Sequence, residues 1–224
     1  SMTSYDYQEA LKNAAKTMVQ GRNPRRLLKL IVRYIVREVG LNHASILMYD
    51  QPRSRYIFVD SQGTNRIPVS LVRLDRENPL VRWFAQRDLE PEFRKDYLEL
   101  RELSSWIDDS KRTDQRTSLK TRLLRVKEAM ETLKATVCVP GFYKHELLGV
   151  LLLGRKIKGE PFSVEEISFF QTLANDASMT IKNAEYQDDL VRKNLALEQQ
   201  KQELERRFQE IEELRKKAYI ELKL

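Results

Sequence analysis

A chain of 224 residues, 41% of them hydrophobic, is long enough for one sizeable core plus helical extensions. A single cysteine, Cys138, excludes an intramolecular disulfide framework, and the longest apolar run, Leu147–Leu153, is too short to cross a bilayer. The formal charge of +7 belongs to the part before residue 188, because 188–224 hold nine acids and nine bases; it favours anionic surfaces in general and does not establish nucleic-acid binding.

Residues 4–20 read as a helix with Tyr7, Leu11, Ala14 and Met18 on one stripe, ended by Gly21. Asn23-Pro24 restarts the chain as N-cap and first helical residue, and the second helix runs to Val39 before Gly40. On a wheel of about 100° per residue, Arg22, Arg26, Lys29, Arg33 and Arg37 fall in one narrow stripe, and apolar residues cover most of the rest. Such a helix is expected to be buried on two sides. Its basic stripe reads as a solvent-facing one, since no aromatic residue interleaves the arginines as a base-stacking surface requires.

Ala44–Tyr49 and Tyr56–Asp60 form a predicted hairpin turned at Asp50-Gln51-Pro52, and Ile67–Leu74 holds a poorer third strand. Asn78-Pro79 opens a short helix carrying Trp83 and Phe84. Residues 88–134 lack glycine, are densely charged, and show helical patterns at Pro91–Trp106 and Ser118–Leu133; they read as a helical excursion between strands. Ala135–Val139 and Leu147–Leu153 complete the sheet.

Ser163 with Glu166 three residues on is a capping box, and no glycine or proline follows it. One helix is therefore predicted from Ser163 to Leu222, about 90 Å long at ~1.5 Å per residue. From Ile167 to Val191 its small and apolar residues keep the three–four spacing of a packed face. From Leu190 a seven-residue ladder appears, Leu190, Leu197, Leu204, Ile211 and Ala218, interleaved with Asn194, Lys201, Phe208, Arg215 and Leu222. Leucine at one seam position with polar residues at the other suits a parallel two-stranded coiled coil. The expected dimer contacts are Leu190, Leu197, Leu204, Phe208 and Ile211. The two patterns overlap in different phases near Leu190.

The lone cysteine and the absence of a signal peptide fit a reducing, cytoplasmic setting. Ser1-Met2 looks like a cloning remnant, and a helix ending in mid-heptad at Leu224 suggests a piece of a longer protein.

The segment Ala135-Thr136-Val137-Cys138-Val139-Pro140, then Glu146–Lys156, Pro161–Ile167, and Leu173-Ala174 through Asn183-Ala184, resembles the C-terminal half of the GAF family of small-molecule-binding regulatory domains. Leu27–Tyr49 resembles its opening helix and first strand. The resemblance covers about residues 24–187. It implies an α+β fold: an antiparallel sheet of five or six strands with helices on both faces, dimerising helices on one and a ligand pocket under the excursion on the other. The division expected is an N-terminal helix at 4–23, the GAF domain at 24–187 and a coiled-coil signalling helix at 188–224.

A fold does not give a function, so each chemistry of the family requires its own residues. The cyclic-nucleotide signature is matched only in part, by Arg155-Lys156, Phe162 and Glu165-Glu166, with the Phe-to-acid spacing one residue short. Cys138 lacks the neighbouring histidine of a bilin attachment site and the resolving thiol of a sulfoxide reductase, so it reads as core packing. His43 and His145 read as surface residues rather than haem ligands. There is no Cys/His cluster at metal-ligand spacing and no nucleophilic triad. The chain is expected not to be an enzyme, and its residues name no cofactor. If a pocket exists, Tyr49, Phe58, Trp83 and Cys138 are expected on its wall. The reading is a dimeric sensory domain passing a small-molecule or partner signal to a covalently linked output domain, such as a histidine kinase or diguanylate cyclase. The alternative is a ligand-free scaffold in which Trp83, Phe84 and Trp106 fill the space.

Overall fold

The computed structural model describes residues 9, 13, 23–71, 73–85, 93, 96–110 and 117–223. The expected helix at 4–20 lies outside them, apart from the helical residues Glu9 and Asn13. The described chain forms two units, one up to Lys182 and one from Asn183.

Helix α1 (Pro24–Ile35) begins as its sequence predicts, with Asn23 Oδ1 accepting the Arg25 N–H at 3.1 Å and Pro24 at the first helical position. It closes in a π-helical turn, Val36–Gly40, where Gly40 takes a φ of +76° that a side chain would resist. Hairpin β1 (Ala44–Asp50) and β2 (Arg55–Gln62) follows. A 3₁₀ turn, Val69–Leu71, and strand β3 (Arg73–Asp75) replace the single expected strand at 67–74. Then come α2 (Pro79–Ala85), β4 (Leu98–Glu99), α3 (Leu100–Ser110), α4 (Thr117–Thr132), β5 (Val137–Tyr143), β6 (Glu146–Leu153) and α5 (Val164–Lys223). Of the helix expected at 91–106, residues 91, 92, 94 and 95 lie outside the described residues; its later part is helical from Leu100 and continues to Ser110, preceded by a two-residue strand. β5 also runs on through Pro140-Gly141 to Tyr143, past the end of the strand expected at Ala135–Val139.

The described strands form one six-stranded antiparallel sheet in the order β3-β2-β1-β6-β5-β4. Successive residues point to opposite faces, so β1, β2, β5 and β6 each feed two cores. On one face, Ile46, Met48, Val139 and Leu151 pack against Leu28, Val32 and Ile35 of α1 and Phe170, Leu173 and Ala177 of α5. Leu27 and Ile31 are buried as well, but Leu30 is exposed along with Arg26, Lys29 and Arg33, so the burial on two sides predicted for α1 is only partly present. At Gly141 the strand touches α5 so closely that a Cβ would lie 2.5 Å from the Ala174 carbonyl, which explains a glycine within β5.

The other face carries Leu47, Tyr56, Phe58, Cys138, Val150 and Leu152, covered by residues of α2, α3 and α4. The helical excursion is therefore a lid that completes a second core.

Candidate functional site

The excursion face gathers the four predicted wall residues. Phe58, Trp83 and Cys138 are buried in its core, at 6%, 3% and 0% exposure, and Tyr49 packs at its margin. Trp83 stacks on Trp106 with ring centroids 6.2 Å apart, and Phe93 meets both rings edge-on at 6.4 and 5.1 Å. Edge and offset contacts of this kind add to burial alone. At the margin, Tyr49 and Tyr56 lie 5.2 Å apart, the Arg76 guanidinium sits 5.2 Å over the Tyr49 ring, and it donates to the Tyr49 hydroxyl. Tyr56 donates to the Leu147 carbonyl at 2.7 Å, and burial pushes its phenol up to about 12.

Cys138 sits opposite Leu152 on β6 and Leu98 on β4. Its burial pushes the thiol far above the ordinary range, so it carries no thiolate at neutral pH. A polar groove of about 420 Å³ lies elsewhere, lined by Asp96, Pro140 and Lys144 with Ser168, Gln171 and Asn175 of α5.

His43, expected at the surface, is fully buried. The cause is a hydrogen-bonded chain between strands. Lys134, in the left-handed region at a φ of 54°, presents a carbonyl that can only accept, 2.9 Å from His43 Nδ1. His43 Nε2 is 2.6 Å from Ser45 Oγ, Ser45 Oγ is 2.7 Å from Ser61 Oγ, and Ser61 Oγ accepts the Ile67 N–H at 2.9 Å. The sequence signal was a serine at position 45 on the face that also bears Leu47 and Tyr49. Its partners were invisible without the β1–β2 register, which pairs Ser45 with Ser61.

Burial lowers the His43 pKa, outweighing the hydrogen bond to the Lys134 carbonyl that raises it, with the Lys134 charge adding to the lowering. The folded state therefore holds a neutral ring, and the unfolded chain binds a proton first. Stability from this group is complete above the unfolded value near 6.5 and is lost as pH falls toward the folded value. Within that window, urea unfolding is expected to weaken by up to ~1.4 kcal/mol per pH unit from this one proton. The His43→Gln variant, less stable at pH 7.5, is expected to lose that slope; an unchanged slope would assign it to other groups.

The capping box forms as predicted: Glu166 N–H donates to Ser163 Oγ at 3.1 Å and Ser163 N–H to Glu166 Oε1 at 2.9 Å. The structure adds Lys156 Nζ, 2.5 Å from the same carboxylate oxygen and 5.7 Å over the Phe162 ring. Lys156 also bridges to Leu41, and the Ile157 N–H donates to the Gly40 carbonyl at 2.8 Å. The partial nucleotide signature is thus a clasp joining the end of α1 to the start of α5, with Lys156 and Glu166 buried and Phe162 half-buried.

Among the described residues, no cluster of three or more His, Cys, Asp or Glu is placed to hold a metal, and no helix is long and apolar enough to cross a membrane. The antiparallel sheet between a helix layer and a helical lid defines an α+β domain whose candidate site is a covered sheet face. The GAF domain model matches residues 23–181, and the chain belongs to the GAF domain family, whose members are generally regulatory.

No curated relative matches the chain. Among solved structures, the GAF domain of an Acinetobacter phosphoenolpyruvate-protein phosphotransferase is similar at 19% identity and a TM-score of 0.56, covering 83% of this chain and 97% of that one. Residues 122 to 287 of a methyl-accepting chemotaxis protein are similar at 16% identity and a TM-score of 0.55, covering 76% and 96%. The free methionine-R-sulfoxide reductase of Neisseria meningitidis is similar at 11% identity and a TM-score of 0.53, covering 83% and 94%. At these identities the likeness is one of fold.

Proposed function

We propose that this chain is a sensory GAF domain that works as a homodimer and passes a signal received under its helical excursion, along paired copies of α5, to an output domain in its parent protein. The signal is a small molecule or partner contact near Tyr49, Phe58, Trp83 and Cys138, and the setting is cytoplasmic. Candidate outputs are a histidine kinase, a diguanylate cyclase or a similar effector. One observation carries the reading. The helix whose Ile167, Phe170, Leu173 and Ile181 are core residues goes on to expose Leu190, Leu197, Leu204, Phe208 and Ile211. A helix shared in this way couples sheet packing to seam packing, and the phase change near Leu190 supplies two arrangements for a signal to choose between.

A second reading, a scaffold with no ligand, is favoured by the mutual packing of Trp83, Phe93 and Trp106. Native mass spectrometry of the purified protein, followed by thermal shift with nucleotides, haem and metabolites, separates the two. A sensor is expected to gain thermal stability as ligand concentration rises, by ~2.7 kcal/mol at one hundred times Kd. A flat response to every compound, with no retained molecule, favours the scaffold.

A further inference from the structure

The polar groove beside α5 takes no part in the excursion core. From α5 it takes Ser168, Gln171, Thr172 and Asn175, which follow one another at the three–four spacing of one helix face. That polar stripe runs beside the apolar one of Phe170, Leu173 and Ala177, which packs on the sheet. β5 contributes Pro140 and Phe142; Lys144 follows β5 and Asp96 precedes β4. All of these residues belong to the unit that ends at Lys182.

Two opposite charges line this groove without neutralising each other. Among the described residues, the Asp96 side chain has no ion pair and no hydrogen bond, and neither has the Gln171 amide. The Lys144 ammonium has only the Tyr143 ring, 5.7 Å from its centroid. Asn175 Oδ1 accepts the Phe142 N–H at 3.4 Å, which leaves the Asn175 amide donors open. The volume of about 420 Å³ lies within the ~300–1,000 Å³ of small-molecule sites.

The lining narrows the ligand class. An added peptide strand is disfavoured, because Pro140 has no N–H and the Phe142 N–H is already given to Asn175. A single lysine with a carboxylate in the same groove makes a poor phosphate site, and one carboxylate is too few for a calcium ion. A neutral sugar leaves both charges unused. The structure assigns to this groove a small zwitterion, a free amino acid, with its ammonium group on Asp96 and the Gln171 carbonyl and its carboxylate on Lys144 and the Asn175 amide. Bound there, it ties β5 and the segment before β4 to turns of α5 that lie on the sheet. That is an input to α5 from the face opposite the excursion, and it stands whether or not the excursion core takes a ligand. Solvent-exposed groups hold such a ligand loosely, so binding is expected near ~1 mM.

The test uses the whole chain with the standard L-amino acids one at a time, then glycine, β-alanine, γ-aminobutyrate and δ-aminovalerate as a series of growing charge separation. Thermal shift and amide NMR are the readouts. At least one zwitterion is expected to raise the melting temperature as its concentration rises. Its N-acetyl derivative and its carboxamide, each lacking one charge, are expected to do nothing. The NMR changes are expected at the Phe142 backbone and at the Gln171 and Asn175 side-chain amides, not at the Trp83 and Trp106 indoles. Asp96→Asn and Lys144→Gln are each expected to weaken binding by about tenfold, leaving the unliganded melting temperature unchanged because both side chains are exposed. No shift with any zwitterion overturns the proposal, as does equal binding of the one-charge derivatives or of both variants. A zwitterion that perturbs the indoles instead also overturns it, while leaving the excursion reading intact.

Discussion

Replacing Leu197 and Leu204 together with aspartate is expected to leave the protein monomeric in light scattering under conditions where the parent chain is a dimer. The two side chains are 62% and 65% exposed in the single chain, so their burial belongs wholly to association. Burying a leucine contributes ~1.5–3 kcal/mol, and two-fold symmetry counts each residue twice, giving about 6–12 kcal/mol for the four. At ~1.4 kcal/mol per tenfold, even the lower figure weakens association by about four orders of magnitude. Aspartates facing their own copies across the seam add repulsion. The helix content of the isolated chain is not expected to collapse, because neither residue is part of the core around Phe170. Leu195→Asp is the control: its residue is 59% exposed yet lies off the seam, so the dimer is expected to survive it. A double variant that stays dimeric would move association to the globular unit.

Breaking the Lys156–Glu166 clasp is expected to have the largest effect on folding. The two side chains are 7% and 3% exposed, so removing one partner strands the other in a medium that solvates charge poorly. Such losses run to about 3–5 kcal/mol, a large part of the ~5–15 kcal/mol that holds a typical domain folded. Glu166→Gln keeps the shape but removes the charge that Lys156 faces, and urea unfolding should show the loss directly. Lys156→Met should hurt less, because Glu166 keeps the Ser163 N–H at 2.9 Å. The double variant should be less destabilised than the sum of the two, since both buried charges are gone together.

The pH dependence of the clasp has a definite sign. Burial alone would raise the Glu166 pKa, but hydrogen bonds from Lys156 and Ser163, with the attraction of the Lys156 charge, hold it below the usual carboxylate value. The clasp therefore contributes fully above the unfolded value near 4.3 and is lost as pH falls through the lower folded value. That loss sets in at a more acid pH than the 6.5 near which His43 begins to titrate, so the two contributions have different onsets in one pH series.

How much was legible in the residues depends on how far each feature reaches along the chain. The Asn23-Pro24 helix start and the Ser163–Glu166 box are contacts between near neighbours, and both formed as their spacing implied. The α5 helix and its heptads follow from a period repeated over many turns. β4 was missed because two residues are too few to show alternation; it exists through pairing with Val137 and Cys138, about forty residues away. The third strand was overdrawn for the same reason, three residues pairing with β2 inside a stretch of mixed pattern.

The candidate site divides along the same line. Alternation put Phe58 and Cys138 on a face but did not say which face; that followed from which helices landed on each side. Burial of His43 depended on Ser61 and Lys134, brought together only by strand pairing and by the left-handed turn after α4. Lys156 was noticed as part of a signature, while its ion pair with Glu166 came from the turn that carries β6 into α5.

By itself, then, the chain of residues determined the capped helices, the long apolar period of α5 and the strand alternation, because each is written in neighbours a few positions apart. Tertiary structure alone decided which sheet face meets the excursion, where the short edge strand lies and which polar groups are buried. Those outcomes depend on contacts between residues tens of positions apart, whose pairing no local pattern records.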